Sequence, residues 1–151
     1  VHRDDAPEGT VRENATRKYE WARRRFPEAG IIAADTVVVF DGKSIGKPKS
    51  IVDATAMLRR FSGHSQVVYT GVAVARGQQT PTVSVTRSEV HFRELSDAAI
   101  AEYFERVDPL DKAGGYDIDQ HHHLIIRAYE GSWTNIMGLP QDVVETWLAC
   151  R

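Results

Sequence analysis

Cysteine is nearly absent from this 151-residue sequence. Cys150 stands alone, one residue from the end, so neither an internal disulfide nor a thiolate metal site can be built. That economy fits a reducing cytosol. An excess of one charge is missing too: 19 Lys and Arg against 21 Asp and Glu leave a formal net charge of -2. No extended basic field is therefore available to coat nucleic acid. No apolar run approaches the roughly 18 residues of a membrane-spanning helix, and no charged-then-apolar leader opens the chain. A soluble, cytoplasmic protein with no nucleic-acid or membrane partner is expected. A Walker A loop, a dinucleotide fingerprint, a nucleophile elbow and a zinc-peptidase helix are all absent. What is present, 42% hydrophobic and 26% charged residues, suits one globular domain over residues 1–151. The chain opens with Val1 and a polar stretch, His2, Arg3, Asp4 and Asp5, which suggests that sequence is missing upstream.

Thr10-Val11-Arg12-Glu13 has the capping-box form, and Val11, Ala15, Ala22 and Phe26 follow at helical spacing until Pro27. Ile31 to Phe40 reads as a buried strand, which Asp41-Gly42 turns into a short return through Ile45. Ser50-Ile51-Val52-Asp53 opens a second helix that Gly63 closes. A second hairpin joins Val67–Arg76 to Val83–Phe92 at Gly77-Gln78-Gln79, and Ser96 caps a third helix with an Ile100, Tyr103, Phe104, Val107 stripe that ends by Pro109. A glycine-containing segment at 111–116 leads to a strand over Leu124–Tyr129, a loop around Asn135–Pro140, and a short helix carrying Val143, Val144 and Trp147. This order predicts an α/β fold: a mixed sheet with antiparallel hairpins and packed helices, rather than a parallel doubly wound sheet.

Asp35 is the most informative residue. A carboxylate inside an otherwise core-like strand must be hydrated, paired or metal-bound, or must mark a bulge or strand end. Lys18 lies three residues after Ala15 and four before Ala22, on the apolar stripe, so its ammonium either snorkels to the rim or points into a polar cleft. Gly46-Lys47-Pro48 places a lysine on a stiffened segment with close backbone access, and Asp111-Lys112 precedes three small residues whose amides could approach an anion. Scattered lysines with buried acids suggest phosphate and a divalent metal. His121-His122-His123 would alternate faces in a strand and could not all converge on one ion, which favours a surface role. Trp21 and Trp133 could stack on a base or serve packing. Ser62-Gly63-His64 sets a hydroxyl near an imidazole, but beyond a helix end it reads as a terminator.

Taken together, several stretches resemble the Maf family of septum-formation-inhibitor-like nucleotide pyrophosphatases. They are Ala33-Ala34-Asp35-Thr36-Val37-Val38, Gly46-Lys47-Pro48, Met57-Leu58 with Ser62-Gly63-His64, Tyr69-Thr70-Gly71-Val72, Asp111-Lys112-Ala113-Gly114-Gly115-Tyr116, and Glu130-Gly131-Ser132 through Asn135-Ile136-Met137-Gly138-Leu139-Pro140. The resemblance implies a fold like that of the inosine triphosphatases, with a central cleft, commonly a homodimer. The implied activity is hydrolysis of nucleoside triphosphates to monophosphate and pyrophosphate with a divalent metal, Mg²⁺ foremost and Mn²⁺ or Co²⁺ as substitutes. It also implies that Asp35 is the catalytic carboxylate, as base or metal ligand. Lys18, Lys47, Thr36, Asp111 and Lys112 would contact the nucleoside triphosphate. The Ala-Asp-Thr form is similar to the dTTP/UTP branch, in which a Gln usually stands where this chain has Asp119, or Gln120 after a one-residue shift. The family's S-x-S-P-R-R segment has no counterpart here, so an upstream strand carrying it is expected, with weak activity without it. Two other readings are a non-catalytic nucleotide-binding or septum-associated module and an inosine-type triphosphate house-cleaning hydrolase.

Overall fold

The computed structural model describes residues 6–150. The opening polar stretch, Val1 to Asp5, lies outside the described residues. The fold is mixed α/β, with a five-stranded antiparallel sheet in the order β2-β1-β3-β4-β5 and helices packed on it. The strands are β1 (Gly30–Phe40), β2 (Lys43–Ile45), β3 (Ser65–Arg76), β4 (Thr82–Phe92) and β5 (Ile126–Glu130). The helices are α1 (Pro7–Arg25), α2 (Ile51–Phe61), α3 (Asp97–Arg106), α4 (Trp133–Met137) and α5 (Gln141–Ala149). The chain divides into two compact units. The first takes residues 6–37, 68–88 and 132–150; the second takes residues 38–67 and 89–131.

In the first unit α1 starts three residues before the predicted cap. Pro7 occupies the first helical turn, where its fixed φ and missing N–H cost nothing. Thr10 is therefore inside the helix, its hydroxyl donating to the Ala6 carbonyl at 3.2 Å. Val11, Ala15 and Tyr19 are buried, whereas Phe26, expected to continue the stripe, is exposed because the helix ends at Arg25. Ala15 and Tyr19 pack on Ile31 and Ala33 of β1 and on Ala73 and Ala75 of β3. The small side chains let helix and sheet close up, and at Gly71 a Cβ would collide with the Val11 carbonyl and lie 3.0 Å from the Arg12 nitrogen. The segment read as a loop around Asn135 contains α4, which Ser132 caps by accepting the Asn135 N–H at 3.1 Å and Gly138 ends at φ 110°. Arg76 lies 4.5 Å over the Trp147 ring and donates to the Trp147 and Cys150 carbonyls, closing the end of α5.

In the second unit Asp41 and Gly42 take φ of 51° and 73°, the left-handed pair that a tight β1–β2 hairpin needs. Ser50 and Ser96 cap α2 and α3 as their sequences predict, each accepting an N–H at 3.1 Å. An aromatic chain, Phe40–Phe61–Phe92–Tyr116, forms the core with ring centroids 5.0 to 5.5 Å apart. β5 begins at Ile126, two residues later than expected. His121 adopts φ 50° and a 3₁₀ turn runs over His122–Leu124, so the three histidines lie in a turn and not in a strand. Among the described residues no helix is long and apolar enough to cross a membrane.

Candidate active site

In the first unit β1 carries Asp35 to a half-buried position, with 17% of its side chain exposed. One face of α1 meets it. Lys18 Nζ donates to Asp35 Oδ1 at 2.7 Å and to the Ala34 carbonyl at 3.0 Å, while Asn14 Nδ2, one turn earlier, donates to Oδ2 at 2.9 Å. Of the alternatives open for Lys18, the ammonium is thus aimed at a carboxylate and does not simply rise into solvent. Its stem lines a groove with Arg17, Trp21, Ala22, Ile32 and Ala33. Trp21 is exposed there, with the Arg25 guanidinium 5.3 Å from its ring centre.

Next to Asp35 in β1, Thr36 Oγ1 shares a hydrogen bond with Thr70 Oγ1 at 2.8 Å, and the Thr70 hydroxyl donates to the Asn135 carbonyl at 3.1 Å. Asn135 is fully buried and donates through Nδ2 to Ser88 Oγ at 2.8 Å. These polar groups, of which Thr70, Ser88 and Asn135 are buried, tie β1, β3, β4 and α4 together.

In the second unit Gly46-Lys47-Pro48 and the 111–116 segment are joined: Gly114 donates its N–H to the Gly46 carbonyl at 2.9 Å, and Lys47 Nζ lies 2.7 Å from Asp111 Oδ1. Lys47 holds the Asp111 carboxyl below the usual range, first by this hydrogen bond and then by its charge, with Lys112 adding to the effect. Lys112 itself faces Asp117 at 3.5 Å. Gly114 and Gly115 both have positive φ, 77° and 74°, which sets the sharp path of this segment. Asp119 is exposed and donates its backbone N–H to Asp117 Oδ1 at 2.9 Å. The Ser62 hydroxyl accepts the Leu95 N–H, and His64 Nδ1 meets the Ser62 carbonyl, so no Ser–His nucleophile pair forms.

The Maf-like protein family model matches residues 1–150. The chain belongs to the Maf-like family. It is 42% identical over 146 residues to a dTTP/UTP pyrophosphatase of Thermotoga petrophila, a match covering 95% of this chain and 71% of that relative. A dTTP/UTP pyrophosphatase of Syntrophus aciditrophicus is 39% identical over 145 residues, with the same coverage. One of Myxococcus xanthus is 40% identical over 139 residues, covering 92% of this chain and 70% of the relative.

Sequence reasoning missed several residues of this Maf-like chain's polar clusters. Asn14 could have been found from its i, i+4 relation to Lys18, whereas the roles of Thr70, Ser88, Asn135 and Asp117 depend on contacts between distant segments. Also missed was a group on β4 and β5. Glu89, His91 and Glu130 bring three ligand atoms within 4.8 Å of one another, a group that could hold a metal ion.

Proposed function

We propose that this chain hydrolyses nucleoside triphosphates of the dTTP/UTP type to the monophosphate and pyrophosphate. The observation that carries the reading is Asp35, a strand carboxylate fixed by Lys18 and Asn14 within a chain about 40% identical to named dTTP/UTP pyrophosphatases. In the proposed reaction a water oxygen bonds to the α-phosphorus and the bond to the bridging oxygen breaks. The electron pair leaves with pyrophosphate, and the water proton passes to a base. Asp35 orients that water or takes its proton.

The donor set at Asp35 fits Mg²⁺, with Mn²⁺ or Co²⁺ as substitutes. Each carboxylate oxygen accepts one hydrogen bond and retains a lone pair, and a single hard carboxylate joined by substrate phosphates is a usual Mg²⁺ environment. When bound, the ion supplies positive charge to the phosphate oxygens. Lys18 spends two of its three N–H groups on Asp35 and Ala34, which leaves one for a phosphate oxygen. Lys47 and Lys112 are proposed as phosphate contacts in the second unit, with Asp111 orienting Lys47, and Thr36 and Asp119 as further substrate contacts.

The test is pyrophosphate release by the full-length protein over a nucleotide panel with Mg²⁺. Fastest release from dTTP or UTP is expected. Preference for an inosine-type triphosphate would replace the substrate class, and binding without turnover of any nucleotide would favour a non-catalytic module.

A further inference from the structure

We propose that Glu89, His91 and Glu130 form a binding site for one first-row transition-metal dication of the Zn²⁺ or Co²⁺ class. All three lie in the second unit, and none belongs to the residues assigned above to triphosphate hydrolysis. Glu89 and His91 are two apart on β4, so their side chains leave the same face. The intervening Val90 and the following Phe92 are buried, which pins the backbone and fixes the opposite face outward.

The antiparallel register sets Glu130 of β5 directly across from Glu89, and Ala128 across from His91. The small Ala128 side chain leaves space beside the imidazole. Glu130 reaches into it diagonally, placing Oε2 3.4 Å from His91 Nε2. The cross-strand register thus brings two carboxylates and one imidazole to the same face of the ladder.

Donor chemistry selects the ion. An imidazole nitrogen with two carboxylate oxygens suits Zn²⁺, Co²⁺ or Ni²⁺, while Mg²⁺ prefers oxygen alone. With metal–ligand bonds of about 2.0–2.2 Å, donor atoms around a tetrahedral ion stand roughly 3.3–3.5 Å apart. The His91–Glu130 pair already has that spacing, and Glu130, 75% exposed, is free of the packing that would hinder its adjustment. Water or substrate oxygen would complete the coordination.

The test uses the full chain stripped with EDTA, titrated with Zn²⁺ by calorimetry and with Co²⁺ by its visible absorption. Without nucleotide, one tightly held ion per chain is expected, with His91→Ala and Glu130→Gln each weakening its binding by at least about 10-fold. The exposed Glu130 position keeps the second variant folded even if the first is damaged. A double change of His121→Ala and His123→Ala, in the turn where those rings lie 6.2 Å apart, should leave the affinity unchanged. The proposal is overturned if the parent chain takes up neither ion. It is equally overturned if Glu130→Gln binds as tightly as the parent, or if the turn histidines carry the affinity.

Discussion

Asp35 combines two properties that are seldom found together: it interrupts a run of β-branched and small apolar residues, and both its oxygens are engaged by donors from a single helix face. A purely structural carboxylate and a reactive one would both look partnered, so substitution must separate them. Asp35→Asn keeps size and hydrogen bonding but removes the charge, and kcat should fall by about 100-fold or more while the protein stays folded. Turnover equal to the parent would leave Asp35 as a structural group. Lys18→Ala and Lys47→Ala test the companion claim. The Lys47–Asp111 pair is exposed on both sides, and exposed ion pairs contribute about 0–1 kcal/mol, so the melting temperature of Lys47→Ala should move by no more than about 2–4 °C. Triphosphate KM should rise or kcat fall by a larger factor. A large melting shift with unchanged kinetics would make either lysine a packing residue. Asp35 and Lys18 were legible in the sequence because each breaks its own pattern. Asn14 breaks none, and it becomes meaningful only when α1 is laid against β1.

At the scale of elements, local signals were read well and long-range ones were not. Ser50, Ser96 and Asp41-Gly42 act within four residues of themselves, and the structure uses each as its sequence indicates. The start of α1 was misplaced because Thr10-x-x-Glu13 imitates a cap while Pro7 begins the helix upstream. The short α4 was hidden inside a segment rich in turn residues, since Ser132 lacks the acidic partner three residues on that would have marked it. The strand expected from Leu124 begins only at Ile126, because the left-handed conformation of His121 and the 3₁₀ turn after it cannot be read from their neighbours. The contact of α1 with β3 makes a sharper claim. A Cβ at Gly71 meets helix backbone, which cannot rotate away as a side chain would. Gly71→Ala should therefore destabilise the protein by about 2 kcal/mol, within the range for overpacking, and lower the melting temperature by roughly 4–8 °C. A calorimetric midpoint within a degree of the parent would show that α1 can shift without cost.

For the whole molecule, stability against alkali follows from the core of the second unit. Burial raises the Tyr103 hydroxyl to about 12, and Tyr116, also buried, is raised as well. A phenol whose folded pKa lies above its ordinary value near 10 gives its full stabilisation below that value, and the stabilisation is lost as pH rises through the folded pKa. Urea midpoints should thus hold up to about pH 10 and fall between about pH 10 and 12, with a shallower fall in Tyr103→Phe. A parent midpoint that is flat across this window would contradict the burial assigned to these rings. The near-neutral charge and single cysteine described the class of protein but could not locate a site. The Maf-like motifs instead point to candidate residues, several of which the fold places in polar clusters. The central claim, attack of water on the α-phosphorus, is tested most directly by turnover of dTTP in ¹⁸O-labelled water, followed by phosphorus NMR and mass analysis. The account predicts unlabelled pyrophosphate and one ¹⁸O in the thymidine monophosphate; label in pyrophosphate, or orthophosphate as the first product, would contradict it.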